Sequence, residues 1–206
     1  MKFLCFSDLH CDQAAARKLV RKANEADILL GAGDFAKQHR GLADTLDILA
    51  AIDRPAILVP GNGETAEELT DAAAVWRSAV VLHGAGCTIN QVAFWGVGGG
   101  IPVTPFGDWS YDFDEKTALG LLQDCPRHGV LVVHSPPLDT VDHDSTGRIR
   151  GSSAIREIIL QRQPRLVVCG HIHSSWQQQT TLGETLILNA GPEGVLLDVA
   201  GEPAQS

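Results

Sequence analysis

Two pairs of metal-binding side chains, Asp8-Leu9-His10 and His171-Ile172-His173, constrain this chain more than any other feature. Each follows a short run with strand character, Lys2-Phe3-Leu4-Cys5-Phe6 before the first and Leu166-Val167-Val168-Cys169 before the second. In an extended chain residues i and i+2 point to the same side. Either pair, just past a strand end, therefore aims two donors at one point. The pairs stand near opposite ends of the sequence. A single site that uses both is closed only by the fold as a whole.

The chain has 206 residues and is 44% hydrophobic, which predicts one domain over residues 1–206 with a sizeable core. A formal net charge of −9 excludes a broad basic surface for duplex nucleic acid. It leaves room for a nucleotide in a metal-rich pocket. Five scattered cysteines with no Cys-x-x-Cys read as reduced thiols, and so as a cytoplasmic protein. The opening apolar run is too short for a signal peptide or a membrane span.

In chain order, residues 2–7 read as a buried strand, and Asp12 caps a helix running to about Asn24. A strand at Ile28-Leu29-Leu30 ends in Gly31-Ala32-Gly33-Asp34. Leu42, Leu46, Leu49 and Ile52 are spaced for a helix over about 41–52. A strand at 55–59 stops at Pro60-Gly61-Asn62-Gly63, and the acidic stretch Glu64 to Asp71 suits the first turns of a third helix. Short apolar runs at 80–82, 87–89 and 92–97 predict hairpins. A long loop begins at Gly98-Gly99-Gly100 and passes Pro102, Pro105 and Trp109; Asp114 then caps a helix to about Asp124. The strand 130–133 ends at His134, a polar loop covers 138–151, and Ser152 or Ser153 caps a further helix. The strand 166–169 and a β-rich tail follow. The alternating first half and the later hairpins together predict an α/β protein, a two-sheet sandwich flanked by helices.

Seven side chains then lie just after predicted strands: Asp8, His10, Asp34, Asn62, His134, His171 and His173. Ligands of open α/β sheets gather outside the carboxyl ends of strands, so all seven converge on one rim. The order Asp-x-His, Gly-Asp, Gly-Asn, His, Gly-His-x-His resembles the calcineurin-like metallophosphoesterase superfamily from residue 7 to residue 173. His134-Ser135-Pro136-Pro137 and Asn189-Ala190-Gly191-Pro192 look like its small, single-domain prokaryotic members.

The resemblance implies two divalent metal ions. Asp8, His10, Asp34 and His173 would hold one; Asp34, Asn62, His134 and His171 would hold the other, with Asp34 bridging. Nitrogen and oxygen donors suit Mn, Fe, Co, Ni or Zn, with Mn the expected ion in vitro. Asp34, Asn62 and His10 are the catalytic candidates. The implied activity is hydrolysis of phosphodiesters or activated phosphomonoesters by a metal-bridging hydroxide, with a phosphoester small molecule, a nucleotide among the candidates, as substrate. The alternative is a weakly active or inactive metal-containing module of the same fold that binds a nucleotide or a protein.

One position departs from the pattern. The superfamily's Gly-Asn-His-Asp/Glu is here Gly61-Asn62-Gly63-Glu64, so the histidine that would assist the leaving group is missing. His39 and His143 are the candidate replacements; His83 and His128 read as surface. Arg148 and Arg150 are candidate phosphate contacts, and the helix opening at Gly151-Ser152-Ser153 offers an N-terminus that favours anions.

Overall fold

A computed structural model describes residues 1–199. The domain expected over 1–206 extends to residues 200–206, which lie outside the described residues. The first sheet holds β1 (Lys2–Phe6), β2 (Ile28–Gly31), β3 (Ala56–Leu58), β4 (Ala79–Val81) and β11 (Val195–Asp198), in the order β11-β1-β2-β3-β4. The second holds β5 (Ala85–Ile89), β6 (Val92–Val97), β7 (Val130–Val133), β8 (Leu166–Cys169), β9 (Gln179–Leu182) and β10 (Thr185–Asn189), in the order β5-β6-β7-β8-β10-β9. The helices α1 (Gln13–Lys22), α2 (Leu42–Leu49) and α3 (Ala66–Ala73) cover the first sheet; α4 (Glu115–Leu122) and α5 (Ser153–Arg162) cover the second.

Strand alternation explains the layering. In β1, Leu4 and Phe6 pack among α1, α2 and α3, while Phe3 and Cys5 face the other sheet. In β7, Val130 and Val132 join the layer between the sheets, and Leu131 and Val133 pack under α4 and α5. These strands are buried on both faces, which is why they read as unbroken apolar runs. Strands β1–β4 run parallel to one another, with β4 at one edge, as do β6-β7-β8-β10; β11, β5 and β9 are the antiparallel edges.

Two expectations change. The run at 80–82 is no hairpin strand: β4 pairs parallel with β3 after α3, completing a strand-helix-strand unit. Only β5 and β6 form the predicted hairpin. Glu64 lies before α3, whose N-cap is Thr65 in a capping box with Glu68. Asp12, Asp114 and Ser152 each cap their helix through the side chain.

Candidate metal centre

The donors sit in the loops that leave β1, β2, β3, β7 and β8. Four have left-handed backbone: Asp8 (φ 55°), His10 (φ 45°), Asp34 (φ 57°) and His171 (φ 67°). For residues with a Cβ this costs about 1–3 kcal/mol each and needs surrounding structure to hold it. That structure is a set of loop-to-loop bonds. The amide of Asp8 donates to Gly33 O (2.9 Å), that of His10 to Asp34 O (2.9 Å), and that of His171 to the Asp8 carboxylate (3.0 Å). Gly33 makes the approach possible: a Cβ there would lie 2.6 Å from the Gly61 Cα and 2.7 Å from the His134 ring.

All seven side chains meet. His10 Nε2 and His173 Nε2 are 3.1 Å apart, and the donor atoms of Asp8, His10 and His173 lie within 4.8 Å of one another. On the other side, His134 Nε2 is 3.2 Å from His171 Nδ1 and 3.2 Å from Asn62 Oδ1. Asp34 stands between, with Oδ2 3.5 Å from His10 Nε2 and Oδ1 3.6 Å from His134 Nε2. Asp8 reaches both sides as well, since its donor atom groups with those of Asp34 and His134.

Hydrogen bonding fixes which atoms present lone pairs. A carbonyl only accepts, so the 2.8 Å contact between His134 Nδ1 and Ala32 O places the proton on Nδ1 and bares Nε2. The Asn62 amide donates to Ser110 Oγ (2.9 Å), which turns Oδ1 toward the two imidazoles. Lone pairs thus face one another at about hydrogen-bond distance, an arrangement that a cation between them satisfies. The donor set fits two divalent ions held by nitrogen and oxygen.

The electrostatics agree at Asp34, His171 and His173, while at His134 a proton competes with a cation for Nε2. Burial pushes Asp34 up, but the charges of His134 and His10 and the Gly63 amide outweigh it and hold the carboxyl below its ordinary range. Burial, then the charge of His134, pushes His171 down to about 3, so its lone pair stays free. Burial also lowers His173. For His134 burial is overcome by Asp34 and Asp8, and its pKa rises.

Other sequence candidates fare unevenly. Arg150 lines the cavity over the cluster, with Nε 2.9 Å from Asp144 Oδ2; Arg148 is exposed and does not line it. The N-terminus of α5 is no anion site, because the Glu115 carboxylate already takes Ser152 Oγ (2.7 Å) and the amides of Ser153 and Ala154 (2.9 Å each). His39 is committed on both nitrogens, to Glu68 Oε2 (2.8 Å) and Trp109 O (2.6 Å). The exposed His143 faces Asp142 at 3.6 Å. Neither histidine lines the cavity. His83, read as surface, is half-buried between Tyr111 and Phe113.

Two features escaped the sequence. Buried Glu64 receives the amides of Gly61 (2.8 Å), Ala36 (2.9 Å) and Phe35 (3.3 Å), tying the Asp34 loop to the Asn62 loop. Burial and then the Asp34 charge push it up to about 7. The sequence marks Glu64 as the acid that closes Gly61-Asn62-Gly63-Glu64, but not as the tie between two loops. The second is Asp112, which receives Ser110 Oγ (2.7 Å) and Thr104 Oγ1 (2.6 Å) and so steadies the partner of Asn62. Nothing in its local sequence marks it. Gly63 contributes its amide to Asp34 Oδ1 (2.8 Å), and a Cβ there would come within 3.2 Å of both Asp34 Oδ1 and Ala36 O.

A family model described as calcineurin-like phosphoesterase matches residues 1–175. No curated protein matches the chain. Among solved structures, the protein TT1561 of Thermus thermophilus is 21% identical, covering 93% of this chain and 90% of its own, with TM-score 0.71. A dimetal phosphatase from Danio rerio is 12% identical over 93% and 88%, with TM-score 0.59. An archaeal phosphodiesterase is 14% identical over 93% and 84%, with TM-score 0.55. At these identities the likeness is one of fold: two sheets with flanking helices.

Proposed function

This chain belongs to the calcineurin-like phosphoesterase family, and from that premise we propose that it hydrolyses phosphodiesters or activated phosphomonoesters with two divalent metal ions. At family level it is a metal-dependent phosphoesterase. The observation that carries the finer reading is the convergence of seven nitrogen and oxygen donors around Asp34, whose two oxygens face opposite halves of the cluster. Asp8, His10, Asp34 and His173 would hold one ion; Asp34, Asn62, His134 and His171 the other. When bound, such a pair supplies Lewis acidity and a nucleophilic water near neutral pH.

The chain's own groups then set the limits of the reaction. Ala32 O holds the His134 tautomer, Ser110 holds the Asn62 amide, and Glu64 holds the two loops together. No histidine stands at Gly63, and both His39 nitrogens are occupied, so the leaving group departs with little protonation. A missing general acid is worth about 10²–10⁴-fold. Phenolates, whose conjugate acid has a pKa near 10, need that help far less than alkoxides.

The test is hydrolysis of a series of methyl aryl phosphodiesters by Mn-loaded protein, with metal content measured alongside. The expected result is about two ions per chain and a rate rising steeply as leaving-group pKa falls. A slope near zero means that another acid is present. No turnover of any ester, with tight nucleotide binding, means a binding module instead.

A further inference from the structure

The cavity over the cluster encloses about 630 Å³, within the range of small-molecule sites. Its floor is polar: His10, Asp34, Asn62 and His171 all line it. Its rim is not. Pro102, Val103, Pro105, Phe106 and Trp109 come from the loop after β6, and Ile149 comes from the loop before α5. Val103 (62% exposed), Phe106 (51%) and Ile149 (48%) are three of the seven large apolar side chains that stand exposed among the described residues. Gathering them at one mouth marks a binding surface rather than scattered surface residues.

The rim is shaped as well as apolar. The rings of Phe106 and Trp109 are stacked, with centroids 5.6 Å apart and planes 16° from parallel, and form one continuous aromatic wall. The loop that carries them is held from below. Thr104 donates to Asp112 Oδ2 through its amide (2.8 Å) and its hydroxyl, and the Trp109 carbonyl accepts from His39. Such anchoring lowers the entropy lost when a ligand binds. The rim also carries no unpaired cation: Arg150, the single basic residue lining the cavity besides the floor histidines and His173, is already bound to Asp144. An organic group with further negative charge would find no partner there, whereas an aromatic or bulky apolar one would bury its surface and stack.

We infer that this rim is the binding site for the organic part of the substrate, and that the substrate class is phosphoesters carrying an aromatic or bulky apolar group. The inference rests on the phosphoesterase reading above, because it takes the phosphoryl group to lie at the polar floor. Its test measures equilibrium binding, so that the two can fail separately. Phenylphosphonate and methylphosphonate are titrated calorimetrically into Mn-loaded full-length protein, into the Phe106→Ala/Trp109→Ala double variant, and into Ile149→Ser. Wild type should bind the phenyl compound at least about tenfold more tightly. The double variant should lose most of that ratio and Ile149→Ser a smaller part, about two- to threefold. Reading the ratio rather than either affinity removes general effects of substitution on the metal site. A wild-type ratio near one, or a ratio untouched by the double variant, overturns the inference. A protein that keeps the ratio yet cleaves no ester keeps the aromatic site and loses the phosphoesterase reading.

Discussion

The two halves of the donor cluster differ in depth. His134 is fully buried and the Asp34 side chain is 6% exposed, whereas His10 and His173 are 31% and 51% exposed. The deep half is pinned by its surroundings: His134 by Ala32 O, Asn62 by Ser110, and Asp34 by the Gly63 amide. In the open half, Asp8 is buried and accepts from the His171 amide and Trp176 Nε1, but the His10 ring has only a long 3.4 Å contact from Nδ1 to Ala36 O besides its 3.1 Å approach to His173. His173 leans on Trp176, with ring centroids 4.5 Å apart, and its Nε2 lies 3.7 Å from Asp8. The deep half is thus part of the core as well as of the site. The open half keeps His10 and His173 partly exposed at the edge of the cavity.

The sharpest break is at the residue shared by both halves. Asp34→Ala should lower activity by more than about 10²-fold, beyond the range seen for outer hydrogen-bond partners of ligands, and more than loss of any ligand confined to one half. The measurement is turnover of an aryl diester at saturating Mn, beside Asn62→Ala. Survival of Asp34→Ala with a dead Asn62→Ala would move the bridge elsewhere, and Asp8, which reaches both sides, would be the next candidate.

The next test separates depth from ligation. Urea unfolding of metal-free protein should show His134→Ala less stable by about 2–4 kcal/mol, from the cavity and the orphaned Ala32 carbonyl. His173→Ala should change stability by no more than about 0.5 kcal/mol, as exposed substitutions do. Equal losses would mean that the open half is structural too.

The smallest effect lies outside both halves, in the pair formed by His39 and Glu68. Their hydrogen bond is the main reason that the His39 pKa lies above 6.5. The Glu68 pKa lies below 4.5: burial opposes the shift, and the Thr65 amide and His39 outweigh it. A raised histidine stabilises fully below its unfolded pKa and loses that contribution as pH rises through the folded one. A lowered glutamate stabilises above its unfolded pKa and loses it as pH falls through the folded one. The pair therefore contributes fully between about pH 4.5 and 6.5, the two ordinary values. Both groups are partly exposed and screened, so the difference in unfolding free energy between wild type and His39→Ala should be a few tenths of a kcal/mol. It should shrink above that window; a difference that grows with pH would break the assignment.

The donors were readable in the sequence because each follows a strand buried on both faces. Four apolar residues and a polar one mark a strand end without knowledge of its partners. The direction of β4 was not readable, since Val80-Val81-Leu82 is apolar whichever way it pairs. Nor was the role of Glu64, whose partners are backbone amides of two loops and leave no signature in side-chain type. Glu115 is the same problem from the other side. It looks like an ordinary first-turn acid of α4, but its carboxylate spends itself on α5, across 38 residues of sequence from Ser153. Local pattern finds strand ends; it does not find what a carboxylate bonds to at a distance.

The placement of β11 has a consequence in time. The strand that borders β1 antiparallel comes from residues 195–198, after every candidate ligand has been made. Just before it, Ser7 and Gly191 exchange two hydrogen bonds, Ser7 N to Gly191 O (3.1 Å) and Gly191 N to Ser7 Oγ (2.9 Å). As the polypeptide is synthesised, β2, β3 and β4 can join β1 early, while its other edge waits for nearly the whole chain. An open strand edge is a template for pairing with other chains, and long-range pairings of this kind are slow to form. The hazard of self-association therefore lasts until residues 195–198 have been made and have paired, with Phe3, Leu4 and Cys5 on the unguarded edge.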